Sequence, residues 1–271
     1  MDPFDYSGRV VFVAGGTSGI NLAIAEAFAK RGARLAVASL SQERVDAAVK
    51  TLQAHGGEVA GHAADVRDGP AIADVIKQVH ARFGEIDILV SGAAGNFPAL
   101  ALGMSTNAFK AVVDIDLLGT FNVLRAAHQF LKKPGASVIN ISAPQAMHAQ
   151  PMQAHVCAAK AGVDMLTRVL AIEWGGDGIR LNSIIPGPIW DTEGARRLAP
   201  TEEMQAIVRR SIPLGCYGTK EEVADLALFL ASPLAAYITG AIVPVDGGLT
   251  AAGPRGFGQA IAMAALQGGK N

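Results

Sequence analysis

Ala14-Gly15-Gly16-Thr17-Ser18-Gly19-Ile20-Asn21 is the stretch that decides the fold. Before it runs Arg9 to Ala14, RVVFVA, apolar and β-branched over a strand's length. After it, Ile20 to Arg31 carries apolar residues at helical spacing. A glycine-rich turn at such a junction has a physical use. Glycine lets the backbone approach a pyrophosphate, and the helix beyond offers unpaired N–H donors and the positive end of its dipole. Alone the turn is a weak sign. At the first strand–helix junction of an alternating chain it predicts a dinucleotide site.

The rest of the chain does alternate. Strand-like runs are predicted at Arg34 to Ala38, Glu58 to Ala63, Ile86 to Ser91, Ala136 to Ser142, Arg180 to Ile185 and Ala241 to Val245. Helical periods fall at Ser41 to His55, Asp68 to Phe83, Ser105 to Leu131, Gln153 to Trp174 and Lys220 to Ala231. Apolar strands between amphipathic helices imply a parallel sheet covered on both faces. The expected fold class is α/β, a Rossmann-type doubly wound parallel sheet of about seven strands. No repeat or linker divides residues 1–271, so one domain is expected, with a substrate loop and helices at about 186–218. The Gly-rich tail 250–271 is expected to be at most partly ordered.

Half of the 271 residues are hydrophobic and 17% are charged, with mean hydropathy +0.30. That excludes intrinsic disorder. Against 24 acidic residues stand 23 Lys and Arg, a balance that gives no case for nucleic-acid binding. Cys157 and Cys216 cannot make a disulfide framework or a four-thiolate zinc site, and no His/Asp/Glu cluster has metal-ligand spacing. Leu226 to Val245 is free of charge over a membrane-span length. Ser232-Pro233, Thr239-Gly240 and Pro244 break it into a helix end, a loop and a short strand, so no membrane segment is expected. The acidic start lacks a signal pattern, and a cytoplasmic location is expected.

With these elements together, the sequence resembles the short-chain dehydrogenase/reductase family over nearly its whole length. Gly15-GTSG19 stands at the family's glycine motif, with Asn21 in place of its last glycine. Asp65-Val66 resembles the adenine-contacting pair, and Ser91-GAAG95 the motif after the fourth strand. Pro186-Gly187-Pro188 resembles the loop over the nicotinamide, and Lys160 the lysine on the nicotinamide ribose. The resemblance thus implies cofactor contacts from Gly15, Thr17, Ser18, Gly19, Ile20, Asp65, Val66, Ala93, Ala94, Gly95, Lys160, Pro186, Gly187, Ile189 and Thr192.

The departures are informative. The family's catalytic tyrosine position, four before the lysine, is Val156, and its serine position is Ala143, with Ser142 beside it. Its active-site asparagine position is Asp116. A valine cannot donate a proton, so ordinary carbonyl reduction loses its acid. Ala93-AGNF97, Asn107-AFKAVVDIDLLGTFNV123, His155-VCAAKAGVD164 and Pro186-GPIWDTEGARRL198 are similar to the peroxisomal-type 2,4-dienoyl-CoA reductase branch. That branch's Ser-Lys-Leu ending is replaced by Gly269-Lys270-Asn271, in keeping with the cytoplasmic expectation. The branch implies an acyl-CoA substrate contacted by Arg67, Phe97, Ser105, Thr106, Asn107 and Arg197, with Arg196 a further phosphate candidate.

A dienoyl thioester suits the missing tyrosine. Hydride at the distal end of the conjugated system leaves an enolate whose charge sits on the thioester oxygen and needs donors there. Asp116 is the expected organiser of the proton donor, Lys160 holds the ribose and can support the enolate, and Ser142, Gln145, His148 and His155 border the substrate. For the cofactor, Ala38-Ser39-Leu40-Ser41 offers no acid before Glu43, whereas Ser39, Ser41 and Arg44 can take a 2′-phosphate, so NADPH is favoured and NADH stays open. Two rivals remain: a carbonyl reductase with His148 or His155 as acid, and a catalytically silent Rossmann protein. The apolar surface of the two longest helices predicts a homotetramer.

Overall fold

Val10–Ala14 (β1) is buried along its whole length, as a strand covered on both faces must be. In the computed structural model, which describes residues 2–192, 199 and 201–252, it lies inside an all-parallel sheet. The other strands are Arg34–Ser39 (β2), Val59–Ala63 (β3), Ile88–Ser91 (β4), Ser137–Ile141 (β5), Arg180–Pro186 (β6) and Ile242–Val245 (β7). Their order is β3-β2-β1-β4-β5-β6-β7. The chain winds outward from β1 to β3 and then returns to β4 on the other side of β1. That reversal opens a crevice at the C-terminal ends of β1 and β4, where Ala14 is in register with Ser91.

The helices are Gly19–Ala29 (α1), Gln42–Gln53 (α2), Gly69–Phe83 (α3), Thr106–Val113 (α4), Gly119–Ala127 (α5), Ala154–Trp174 (α6), Glu202–Ser211 (α7) and Lys220–Ala231 (α8). Successive β1 residues point to opposite faces, so two cores form. Val11 and Val13 pack with Ile24, Phe28, Leu52, Val223 and Leu228 on one face. Phe12 packs with Ile72, Ile76, Leu89, Val123 and Leu124 on the other. Each of these large side chains stabilises the fold by about 1.5–3 kcal/mol through burial.

Most predicted elements stand within two residues of their expected bounds, and the charge-free run divides as expected. α8 ends at Ala231, Ser232 Oγ accepts from the Leu234 N–H, and β7 begins at Ile242. No described helix is long and apolar enough to cross a membrane. The predicted helix Ser105 to Leu131 needs correction. Ser105 is its N-cap, accepting from the Ala108 N–H at 3.1 Å. A π-helical turn, Asp114–Leu118, interrupts its middle, and a 3-10 turn, His128–Phe130, ends it. Helix α7 occupies part of the segment expected at 186–218. Arg196 and Arg197, and the tail from residue 253 onward, lie outside the described residues.

Candidate active site

The crevice at the end of β1 is built around positions that only glycine can fill. Gly15 has φ +80°, and a Cβ there would stand 2.8 Å from the Ala93 nitrogen. Gly19 begins α1 with φ +55°, and a Cβ on it would meet nothing within 4 Å. Open space thus faces the N–H groups of a helix N-terminus, the arrangement that receives a pyrophosphate. Thr17, Ser18, Ala93 and Ala94 line this cleft of about 270 Å³, and Ser39, Arg44, Asp65 and Val66 line it further along. Ile20 lies in the first turn of α1. Ser41 caps α2, its hydroxyl accepting from the Arg44 N–H at 3.4 Å. Leu40 is 68% exposed at the rim.

Asn21, which departs from the glycine motif, has a structural use. Its Nδ2 donates to the Gly92 carbonyl at 2.8 Å and reaches the Gly15 carbonyl at 3.4 Å. It straps the turn after β1 to the loop after β4. Gly92 accommodates it, since a Cβ there would lie 2.2 Å from Asn21 Oδ1. Asp65 also holds a neighbour: its carboxylate accepts from Arg67 Nε at 2.9 Å and from its Nη2 at 2.5 Å. That guanidinium keeps the Asp65 carboxyl below the usual range. Arg67 therefore lines the same cleft as Asp65 and Val66.

Deeper in, Asp116 and Lys160 form an enclosed ion pair. Asp116 projects from the π turn, a local insertion that often marks functional sites. Its Oδ1 accepts from the Gly95 N–H at 2.7 Å. Its Oδ2 lies 3.3 Å from Lys160 Nζ, and the two side chains are 1% and 5% exposed. This Oδ2 completes no hydrogen bond, so the contact is ionic rather than directed. Lys160 Nζ instead donates to the Ile141 carbonyl at 3.0 Å. Ser142 follows directly, 4% exposed, with its hydroxyl uncommitted, and Val156 is 3% exposed. Asp116, Ser142 and Lys160, which the family resemblance singles out, stand together: Lys160 Nζ reaches both Asp116 and the carbonyl just before Ser142.

The segments expected to border a substrate are mostly loops. The Phe97 ring meets His155 edge-on, with centroids 4.4 Å apart. His155 is fully buried with neither ring nitrogen partnered. The Ala99 N–H donates to the Met152 carbonyl, tying the loop after β4 to the loop before α6. Gln145 Nε2 donates to Gln153 Oε1, and His148 Nε2 lies 2.7 Å from the Thr250 carbonyl oxygen. Thr106 and Asn107 are exposed on the first turn of α4, whereas the Ser105 hydroxyl is committed to its cap.

Across the mouth, Pro186 ends β6, and a Cβ on Gly187 would stand 2.5 Å from Asp246 Cα. Ile189 is buried and its carbonyl accepts from Thr192 Oγ1. Burial works against ionisation of Asp246, yet hydrogen bonds from Thr250, Gly248 and Leu249 outweigh it and hold the carboxyl below its usual range. Two features escaped the sequence reading: the Asn21 strap and the buried Asp164 behind Ser142. Asp164 lay in plain view as an acid in an apolar helical stripe. Among the described residues no group of three His, Cys, Asp or Glu is placed to hold a metal ion.

Residues 14–250 match a family model described as enoyl-(acyl carrier protein) reductase. The peroxisomal 2,4-dienoyl-CoA reductase, (3E)-enoyl-CoA-producing, of Rattus norvegicus is 46% identical over 242 residues, covering 89% of this chain and 83% of its own. A probable 2,4-dienoyl-CoA reductase, (2E)-enoyl-CoA-producing, of Bacillus subtilis is 42% identical over 243 residues, 89% of this chain and 96% of its own. Among solved structures, a short chain dehydrogenase from Bacillus anthracis superposes with TM-score 0.84 at 39% identity, covering 90% of this chain and 97% of its own.

Proposed function

This chain belongs to the short-chain dehydrogenase/reductase family, oxidoreductases that use a nicotinamide cofactor, and from that premise we propose that it reduces a 2,4-dienoyl-CoA thioester with NADPH. The observation that carries the proposal is the enclosed Asp116–Lys160 pair standing where Val156 leaves no phenol. A ketone needs an acid at its oxygen during reduction. A dienoyl thioester needs only donors there, because its enolate is protonated on carbon.

The residues present fit the cofactor: open space at Gly19, glycine-only geometry at Gly15, and a cleft running on to Ser39 and Arg44. Thr17, Ser18, Gly19 and Ile20 hold the pyrophosphate, Asp65 and Val66 the adenine, and Ala93, Ala94, Gly95 and Lys160 the riboses. Pro186, Gly187, Ile189 and Thr192 cover the nicotinamide. When bound, the nicotinamide supplies the hydride. With no acid at the end of β2 and Arg44 on the cleft wall, the 2′-phosphate of NADPH is accepted there.

Lys160 supports the negative charge that develops on the thioester oxygen, and Ser142 offers it a hydroxyl. Asp116 orients the proton donor that serves the carbon next to the thioester, so the product is a 3-enoyl-CoA. Phe97, Thr106 and Asn107 form one side of the acyl-CoA site with Ser105 fixing their helix, while Arg67 and Arg197 take its phosphates. The protein works in the cytoplasm as a homotetramer. NADPH consumption with dienoyl-CoA, enoyl-CoA and ketone panels, with product double-bond position read by NMR, tests the reading. Consumption with 2,4-dienoyl-CoA alone is the expected result. Consumption with simple ketones and none with dienoyl-CoA overturns it.

A further inference from the structure

Asp164 lies four residues after Lys160 on α6, on the buried face that also carries Val156, Val163 and Thr167. It is 6% exposed. The hydroxyls of Ser142, at the end of β5, and Ser183, on β6, face it, and Lys160 and Arg168 approach from its own helix. Burial is the largest influence on its carboxyl and pushes it above the usual carboxylate range. Neither Asp164 Oδ1 nor Ser142 Oγ completes a hydrogen bond, so the two groups are juxtaposed without being closed on each other. Ser183 is fixed from behind: its Oγ lies 2.8 Å from Thr167 Oγ1, which accepts from Asn140 Nδ2 at 2.9 Å.

Lys160 therefore has two carboxyl groups nearby in opposite environments. Asp116 accepts the Gly95 N–H at 2.7 Å and lies beside the Lys160 ammonium. Asp164 sits in a desolvated position, which favours the proton-bearing form. Of the hydroxyls that face Asp164, that of Ser142 is uncommitted, whereas that of Ser183 is engaged with Thr167.

We propose that Asp164 is a positioning residue for proton delivery, resupplying through the Ser142 hydroxyl the proton that the substrate enolate consumes. In each turnover the Asp164 O–H bond breaks as its proton passes to Ser142 Oγ. The Ser142 O–H bond breaks as its own proton passes to the solvent molecule that has just protonated the enolate carbon. Asp164 regains one proton from solvent before the next cycle, so charge and protons balance with water as the only co-reactant. The inference rests on the dienoyl-CoA reading, since a carbonyl reduction would not leave a carbanion to quench.

The test compares wild type, Asp164→Asn, Asp164→Glu and Ser142→Ala in NADPH-dependent reduction of 2,4-dienoyl-CoA across the full pH range in which the protein stays folded. In wild type, kcat falls as pH rises through the Asp164 pKa, because the carboxylate has no proton to give. Asp164→Asn should lower kcat roughly 10- to 100-fold, leave KM and NADPH affinity unchanged, and erase that limb. Asp164→Glu should restore the limb in part. Should the asparagine variant fail to fold, Ser142→Ala cuts the same relay at its other end and should erase the limb as well. A wild-type pH profile and kcat in either variant, with wild type active on dienoyl-CoA, overturns the relay alone. An inactive wild type overturns the reading and the relay together.

Discussion

Asp116 and Lys160 neutralise each other out of reach of water, so neither can be removed without consequence for the other. Truncating one partner of a buried pair leaves an uncompensated charge and costs about 3–5 kcal/mol. Asp116→Asn is the cleaner probe, since it keeps the shape and the acceptor for the Gly95 N–H. It should leave NADPH binding nearly intact by calorimetry while cutting turnover about 10²-fold, the scale of a lost acid–base group. Lys160→Ala should weaken NADPH binding and slow turnover on every substrate in the same assays. Both residues were legible because each stands at a fixed offset from a motif. Asn21 was legible only as a missing glycine, since its bond to the Gly92 carbonyl spans 71 residues of sequence. Arg67 was read as a phosphate ligand, and its bond to Asp65 depended on a turn that no periodicity describes.

At the scale of elements, strands and helices were readable because each buries a continuous apolar face, and the errors fell where backbone chemistry overrides that pattern. Ser105 looks helical in the sequence yet spends its hydroxyl on the cap. The loop after β6 depends on a contact that periodicity cannot register, the approach of Gly187 to Asp246. Gly187→Ala should destabilise the protein by about 1–3 kcal/mol through overpacking, read as a lowered melting temperature, and should raise KM for NADPH. The same loop senses acid. The Asp246 carboxyl is held below its ordinary value of 3.8, so its contribution to stability is present above that pH and is lost as pH falls through the depressed value. Asp246→Asn should melt lower than wild type near neutrality, and the gap should close on acidification. A gap that stays constant with pH removes Asp246 as the source.

For the whole molecule, the outer side of α6 matters because it is apolar and exposed. Met165, Val169 and Ile172 fall at i, i+4 and i+7 opposite its buried face, with Ile172 82% exposed. Leu118 and Phe121 add to the apolar surface of the neighbouring rod. Such a stripe suits a two-fold contact with another copy of the chain. Ile172→Glu should shift the protein from the proposed tetramer to smaller species in sedimentation velocity while the circular dichroism spectrum stays unchanged. The rod from Thr106 to Ala127 has one more consequence. Its first half packs against α6 and its second against α3, although an unbroken helix presents one steady screw to its surroundings. The wide turn at Asp114–Leu118 is a phase slip between two screws. Each helical residue rotates the pattern by about 100°, so deleting one of that turn's residues other than Asp116 would lock both halves into a common phase. Asp116 would then swing around the axis away from Lys160, and a single codon would unseat the acid while leaving the helix whole.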